Sequence, residues 1–188
     1  MRGGRTVKEK GILFSSSMLD AIACGDKRVT RRVVFPQPAE QPDQPVLYTK
    51  EHCPFWGVRL WAKEKLYMDD TGCARYARGH ACVWVSRGLT PHTVPLMWAS
   101  NWKRNYLSPI HMPREAARLF LDVIACRLER LHQITEEEAT LEGVDSRAAF
   151  AMLWDSLNAK RGYSWDANPW VWRIQFEEFS RSFEQRMR

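Results

Sequence analysis

The chain has 188 residues, a formal net charge of +6 and a hydrophobic share of 45%. That composition excludes an intrinsically disordered chain, and the lack of a long apolar run excludes a membrane-spanning helix. The positive balance is moderate: it leans toward anionic partners without the dense Lys/Arg blocks of a nucleic-acid-coating tail.

Residues 1–10 are basic, lack the apolar core of a secretory signal, and read as a flexible lead-in. A single domain is expected over 11–179, with an insertion at about 68–110, followed by a tail at 180–188. "ILF" (12–14) reads as a short strand. "SSS" then supplies an N-cap for a helix over Met18–Cys24, which Gly25 stops. Val29–Phe35 alternates as a strand, and the four prolines of "PQPAEQPDQP" (36–45) make an extended loop.

"RLWAKEKLY" (59–67) alternates as one strand, with Leu60, Ala62, Glu64 and Leu66 on its apolar face. Glu64 therefore points inward and needs a partner, because an unpaired buried charge is costly. "ACVWVS" (81–86) reads as a strand within the insertion. "PREAARLFLDVIACRLERL" (113–131) suits either a helix or a strand after a short Pro113 turn, and spacing leaves both open. "TEEE" (135–138) is a capping box, with Thr135 at the N-cap and Glu138 at N3, opening a short helix that Gly143 closes. A second helix runs from Ser146 to near Gly162, and a last strand over 168–179 lines up Trp170, Trp172, Ile174 and Phe176. Nine tryptophans are first of all core material, although a basic chain also uses surplus aromatics to stack bases.

Five cysteines, at 24, 53, 73, 82 and 126, are odd in number and lack a framework spacing, which points to a reducing compartment and a cytoplasmic protein. With His52 and His80 they make no C-x2-C pair, so no metal is expected, nor any other cofactor.

The segment "GDKRVTRR" (25–32) crowds Lys27, Arg28, Arg31 and Arg32 around Thr30. Such a run is either a cationic strand edge or the floor of an anion or nucleotide site. Lys27 and Thr30 converge only if Lys27 stays in the turn after Gly25 and the strand begins beyond it. A Lys27 base would have to lose its proton, which burial and the neighbouring cations favour and a carboxylate opposes. "NWKRNY" (101–106), with Trp102, Lys103 and Arg104, interleaves aromatics and cations as single-stranded nucleic-acid binders do, or is a solvated loop. His111 and Arg114 of "SPIHMPR" are phosphate candidates, Arg114 the better one because a guanidinium binds bidentately.

Taken together, "ILFSSSMLDAIACGDKRVTRRVV", "RLWAKE", "SPIHMPR", "ITEEEATLEGV", "LWDSLN" and "YSWDANPWVWRIQF" resemble the ASCH-domain proteins often encoded in phages and prophages. The resemblance implies an α+β fold, a PUA-like mixed β-barrel with flanking helices and an insertion, and RNA or a modified nucleobase as partner. One ASCH branch, the amidohydrolases acting on N4-acetylcytidine, carries a "GxKTxTxR" motif. Here it reads Gly25-Asp26-Lys27-Arg28-Val29-Thr30-Arg31-Arg32, with Arg28 in place of a threonine. That similarity implies Lys27 as base, Thr30 as nucleophile and Glu142 as acidic partner. A "PGD" turn of phage relatives is replaced by "CPFWGVRLW". The expectation is nucleic-acid binding in a pocket floored by Lys27, Thr30, Arg31, Glu64 and Glu142, with Arg28 and Arg32 nearby; the alternative is a hydrolase, either that amidohydrolase or a ribonuclease.

Overall fold

The computed structural model describes residues 7–38, 52–70, 73–83 and 106–179. Its strands are β1 (Lys8–Leu13), β2 (Val29–Val33), β3 (Val58–Lys63), β4 (Leu66–Met68), β5 (Ala74–Tyr76), β6 (Tyr106–Leu107), β7 (Phe120–Arg130) and β8 (Trp170–Glu178). Its α-helices are α1 (Ser16–Cys24), α2 (Glu136–Leu141) and α3 (Arg147–Asn158). The class is α+β, as expected.

Five strands form one sheet in the order β1-β3-β7-β8-β2, and three form a second in the order β5-β4-β6. The first sheet ends in β1 on one side and β2 on the other, so among the described residues it does not close, and the barrel expectation is corrected to two open sheets. The described residues group into two compact units: unit 1 holds 7–8, 20–38, 52–59 and 122–178, and unit 2 holds 9–19, 60–70, 73–83, 106–121 and 179. Among the described residues no helix is long and apolar enough to cross a membrane.

In unit 1, β2 runs antiparallel to β8, with Thr30 opposite Ile174, Arg31 opposite Arg173 and Arg32 opposite Trp172. Paired residues share a face of the sheet. One face carries Val33 and Val171 into a core with Leu131, Phe150 and Trp154. The other carries Trp172 and Ile174 into a core with Val34, Cys53 and Cys126. β8 therefore buries both faces, with Val171, Trp172, Arg173 and Ile174 all buried, where alternation alone predicts one. α2 starts with the N-cap half of the expected box, the Thr135 side chain accepting from the Glu138 amide at 3.2 Å, while the Glu138 carboxylate accepts from arginines instead. Ser146 caps α3 in the same way, accepting from the Ala149 amide at 3.1 Å.

Three boundaries differ from expectation. The lead-in shortens, because Lys8 already belongs to β1. The alternating run at 59–67 breaks at Glu64–Lys65 into β3 and β4, although its in–out pattern persists through the break. The ambiguous stretch at 113–131 resolves into a 3-10 turn at Arg114–Ala116 and the long strand β7. Of "ACVWVS", Cys82 makes an isolated bridge to Arg75, and residues 84–86 lie outside the described residues.

The thiol expectation is corrected outright: Cys53 and Cys126, 73 residues apart, form a disulfide. Cys53 sits in the turn before β3 and Cys126 on β7, a pairing only the fold creates. The odd count therefore no longer argues for a reducing compartment. Of the tryptophans, Trp154 and Trp172 are buried, and Trp56, Trp61, Trp165 and Trp170 pack half-buried against cores.

Candidate functional site

Lys27 follows the stop of α1. Gly25 has φ +84, and the Asp26 and Lys27 amides both bond the Ala21 carbonyl. The strand begins after Lys27, at Val29, as convergence requires. The Arg28 amide bonds Leu141 O at 2.9 Å, which ties the run to the end of α2. Gly143 completes that junction at φ +81, where a Cβ would lie 3.0 Å from Ala21 Cβ and 3.2 Å from Lys27 Cβ. The site thus requires glycine at 143 twice over, by backbone conformation and by space.

The Lys27 ammonium is 1% exposed and donates to Val29 O (2.8 Å), Glu142 O (2.7 Å) and Glu142 Oε2 (2.7 Å). Three acceptors match the three N–H donors of an ammonium, so the pocket fits the charged form. Burial pulls the Lys27 pKa below its ordinary value, with Arg32 and Arg31 acting in the same direction and Glu142 opposing. Burial likewise lowers half-buried Arg32, again with Glu142 opposing.

Glu142 also accepts from Arg31 Nη1 at 3.1 Å. Arg31 Nε donates to Glu129 Oε1 at 2.8 Å, and its Nη2 bonds Glu138. Glu138 in turn accepts from Arg173 Nε and Arg127 Nη2, each at 2.8 Å, and Glu129 accepts from Arg127 Nε at 2.7 Å. Four cations (Lys27, Arg31, Arg127, Arg173) thus meet three carboxylates (Glu129, Glu138, Glu142) in one network. Burial works to raise the Glu138 carboxyl, yet Arg31, Arg173 and Arg127 hold it below its ordinary range.

Sequence reasoning missed Glu129, Arg127 and Arg173, and took Glu138 only as a capping residue. Assigning "CRLER" to a strand would have put Arg127 and Glu129 on one face.

Beside the network lies a cavity of about 390 Å³, lined by Ile22, Ala23, Cys24, Gly25, Lys27, Arg28, Ile124, Gln175, Phe176, Glu177 and Glu178. Lys27 belongs to both cavity and network, and Gln175 joins them again through its Oε1, which accepts from Arg173 Nη1 at 3.3 Å. Arg28 is exposed, its Nε donating to Gly25 O at 2.9 Å.

The structure brings Lys27, Arg31 and Glu142 together. Thr30 is buried, but strand pairing sends it with Arg32 to the sheet face of Ile174 and Trp172, away from the face of Arg31 and Arg173. Glu64, expected on the floor of the Lys27 pocket, is not among the residues lining the cavity; it is buried in unit 2, and the partner it needs is Arg118, in a bidentate pair at 2.9 and 2.7 Å. Arg118 also lies over the Tyr76 ring at 4.0 Å. Arg114, read as a phosphate ligand, is held by both oxygens of Glu9, a bond that raises its pKa. His111 is exposed at the end of a 3-10 turn. Trp102, Lys103 and Arg104 lie outside the described residues. Among the described residues no cluster of His, Cys, Asp and Glu could hold a metal ion.

No family model, curated protein or solved structure matches this chain.

Proposed function

We propose that this chain is a nucleic-acid-binding protein of the ASCH, PUA-like type that takes RNA or a modified nucleobase in the cavity beside Lys27. One observation carries the reading: a network of four cations against three carboxylates, buried at Lys27, Arg31 and Arg173 and reaching the surface at Arg127, abuts a cavity of about 390 Å³ through Lys27 and Gln175. That volume sits at the small end of ligand pockets, roughly 300–1,000 Å³, and suits a single base or nucleoside.

The lining divides the work. Gln175 offers both an amide donor and an acceptor, while Glu177 and Glu178 accept from exocyclic amines and repel phosphate. A base therefore enters the cavity and its phosphate lies toward exposed Arg28. Arg28→Ala is expected to weaken binding of short single-stranded RNA and to reduce the magnitude of the salt slope by about one. Unchanged affinity and slope would sink the reading.

The hydrolase reading, amidohydrolase or ribonuclease, keeps one supporting observation: burial lowers the Lys27 pKa, as a base requires. Against it stand the three acceptors that fit an ammonium and the placing of Thr30 on the other sheet face. N4-acetylcytidine and short RNAs, incubated with the protein and read by mass spectrometry, separate the two. Binding without new product is expected. Product that disappears in Lys27→Arg, a variant that keeps charge but is no base near neutral pH, would reverse the order.

A further inference from the structure

Unit 2 holds a surface that the cavity reading does not use. In its three-stranded sheet Leu66 pairs with Tyr76 on one side and Leu107 on the other, and these residues face the core with Ala74. The residues between them face outward. Tyr67 of β4 stands opposite Arg75 of β5 and Tyr106 of β6, so Arg75, Tyr67 and Tyr106 form a row across three strands. Neighbouring strands lie about 4.8 Å apart, which sets the two tyrosines side by side on the outward face of the sheet.

Cations frame the rings. The Lys65 ammonium lies over the Tyr106 ring at 4.6 Å. Arg75 bonds Asp69, and His80 meets the Tyr67 hydroxyl through Nδ1 at 2.9 Å. Tyr106 is 42% exposed, and Lys65 and His80 are exposed. A buried aromatic pair needs no explanation beyond the core; here Tyr106 is exposed and Tyr67 half-buried, and the pair is interleaved with Lys and Arg in a chain of net charge +6. Such rings stack on unpaired bases, whose π-faces are all alike, while the cations meet the phosphates. Asp69 offsets one of those cations, so the surface favours stacking over dense charge pairing.

The geometry points to the outer face of the β5-β4-β6 sheet as a stacking platform for single-stranded nucleic acid, separate from the unit 1 cavity and with little dependence on base identity. A duplex hides its base faces and is a poor ligand for it.

The test is fluorescence anisotropy on the full chain with labelled oligo-uridylate of about twelve nucleotides, the matching single-stranded DNA and a duplex of the same length. Tyr67→Leu and Tyr106→Leu are each expected to weaken single-strand binding about tenfold, whereas Tyr106→Phe, which keeps the ring, stays within about twofold of the parent. Rescue by phenylalanine separates stacking from a folding role. RNA held more tightly than DNA by the same rings would assign the ligand as RNA, and equal binding as any single strand. Duplex bound as tightly as single strand overturns the inference. So does unchanged affinity in Tyr106→Leu; if Arg28→Ala still weakens RNA in that case, the unit 1 reading stands while this one falls. If the tyrosine variants weaken binding and Arg28→Ala does not, the reverse holds.

Discussion

The two units connect their charged side chains differently. In unit 2, Arg118 bonds Glu64, Arg114 bonds Glu9 and Arg75 bonds Asp69. Unit 1 has such a pair in Arg59 with Asp122, but it also holds a pool in which Glu142 serves Lys27 and Arg31, Glu138 serves Arg31, Arg127 and Arg173, and Glu129 serves Arg31 and Arg127. A pair fails alone, whereas removing one member of a pool leaves several buried charges uncompensated and couples every substitution to the next.

The sharpest way to break this contrast is at Glu142. Glu142→Ala strips Lys27 and Arg31 of a shared carboxylate and is expected to cost about 3–5 kcal/mol in urea unfolding, as for any buried pair broken on one side. Adding Lys27→Met to that background should recover part of the loss, since the orphaned ammonium goes with it. Strict additivity of the two changes would argue against a pool. The disulfide comes next. Cys126→Ser opens a closure of 73 residues, which chain entropy values at about 4 kcal/mol and strain or residual structure reduces. The same loss should appear on adding a reductant to the parent, and in neither case if the two sulfurs remain unbonded in solution.

In unit 2 the matching change is smaller. Glu64→Gln keeps the shape and leaves Arg118 partly exposed at 23%, with the Tyr76 ring and the Arg78 carbonyl still beside it. A loss of about 1–3 kcal/mol is expected, and an effect as large as that of Glu142→Ala would erase the distinction between pair and pool.

How far these differences were readable in advance depends on reach along the chain. Inward Glu64 was legible because a period of two crosses only a few residues, and its need for a partner follows from burial alone. Its partner was not, because Arg118 lies 54 positions away and no local pattern points to it. The capping of α2, the stop at Gly25 and the closure at Gly143 are likewise local and were legible. Placing Lys27 with Glu142 came from a family resemblance, and the structure supplies the contact at 2.7 Å. Pairing with β8 puts Thr30 on the sheet face opposite Arg31, a facing that the sequence of β2 alone does not assign. The disulfide and the arginines of the pool are products of sheet order, which a single sequence does not display.

Acid gives a milder probe of the pool. The Glu138 pKa lies below its unfolded value of 4.5, so its contribution to stability is complete above that pH and is lost as pH falls through the folded-state pKa. The urea midpoint should therefore drop between about pH 5 and pH 3, and Glu138→Gln should flatten that drop while lowering the midpoint at neutral pH. An acid limb unchanged in the variant would show that Glu138 is not held down by Arg31, Arg173 and Arg127.

The smallest expected effect lies inside the basic run, where four cations in six positions look alike in sequence. Arg31 is buried with its side chain fully covered among three carboxylates, whereas Arg28 is exposed and its side chain donates to the nearby Gly25 O. Arg28→Ala should therefore shift stability by no more than about 0.5 kcal/mol. Arg31→Ala should cost several-fold more, because Glu129, Glu138 and Glu142 all lose a partner. If the two substitutions cost the same, the run is a uniform cationic edge and the pool does not organise it. If only Arg31→Ala unfolds the protein, Arg28 is the one cation of the two that selection could retain for a ligand rather than for the fold.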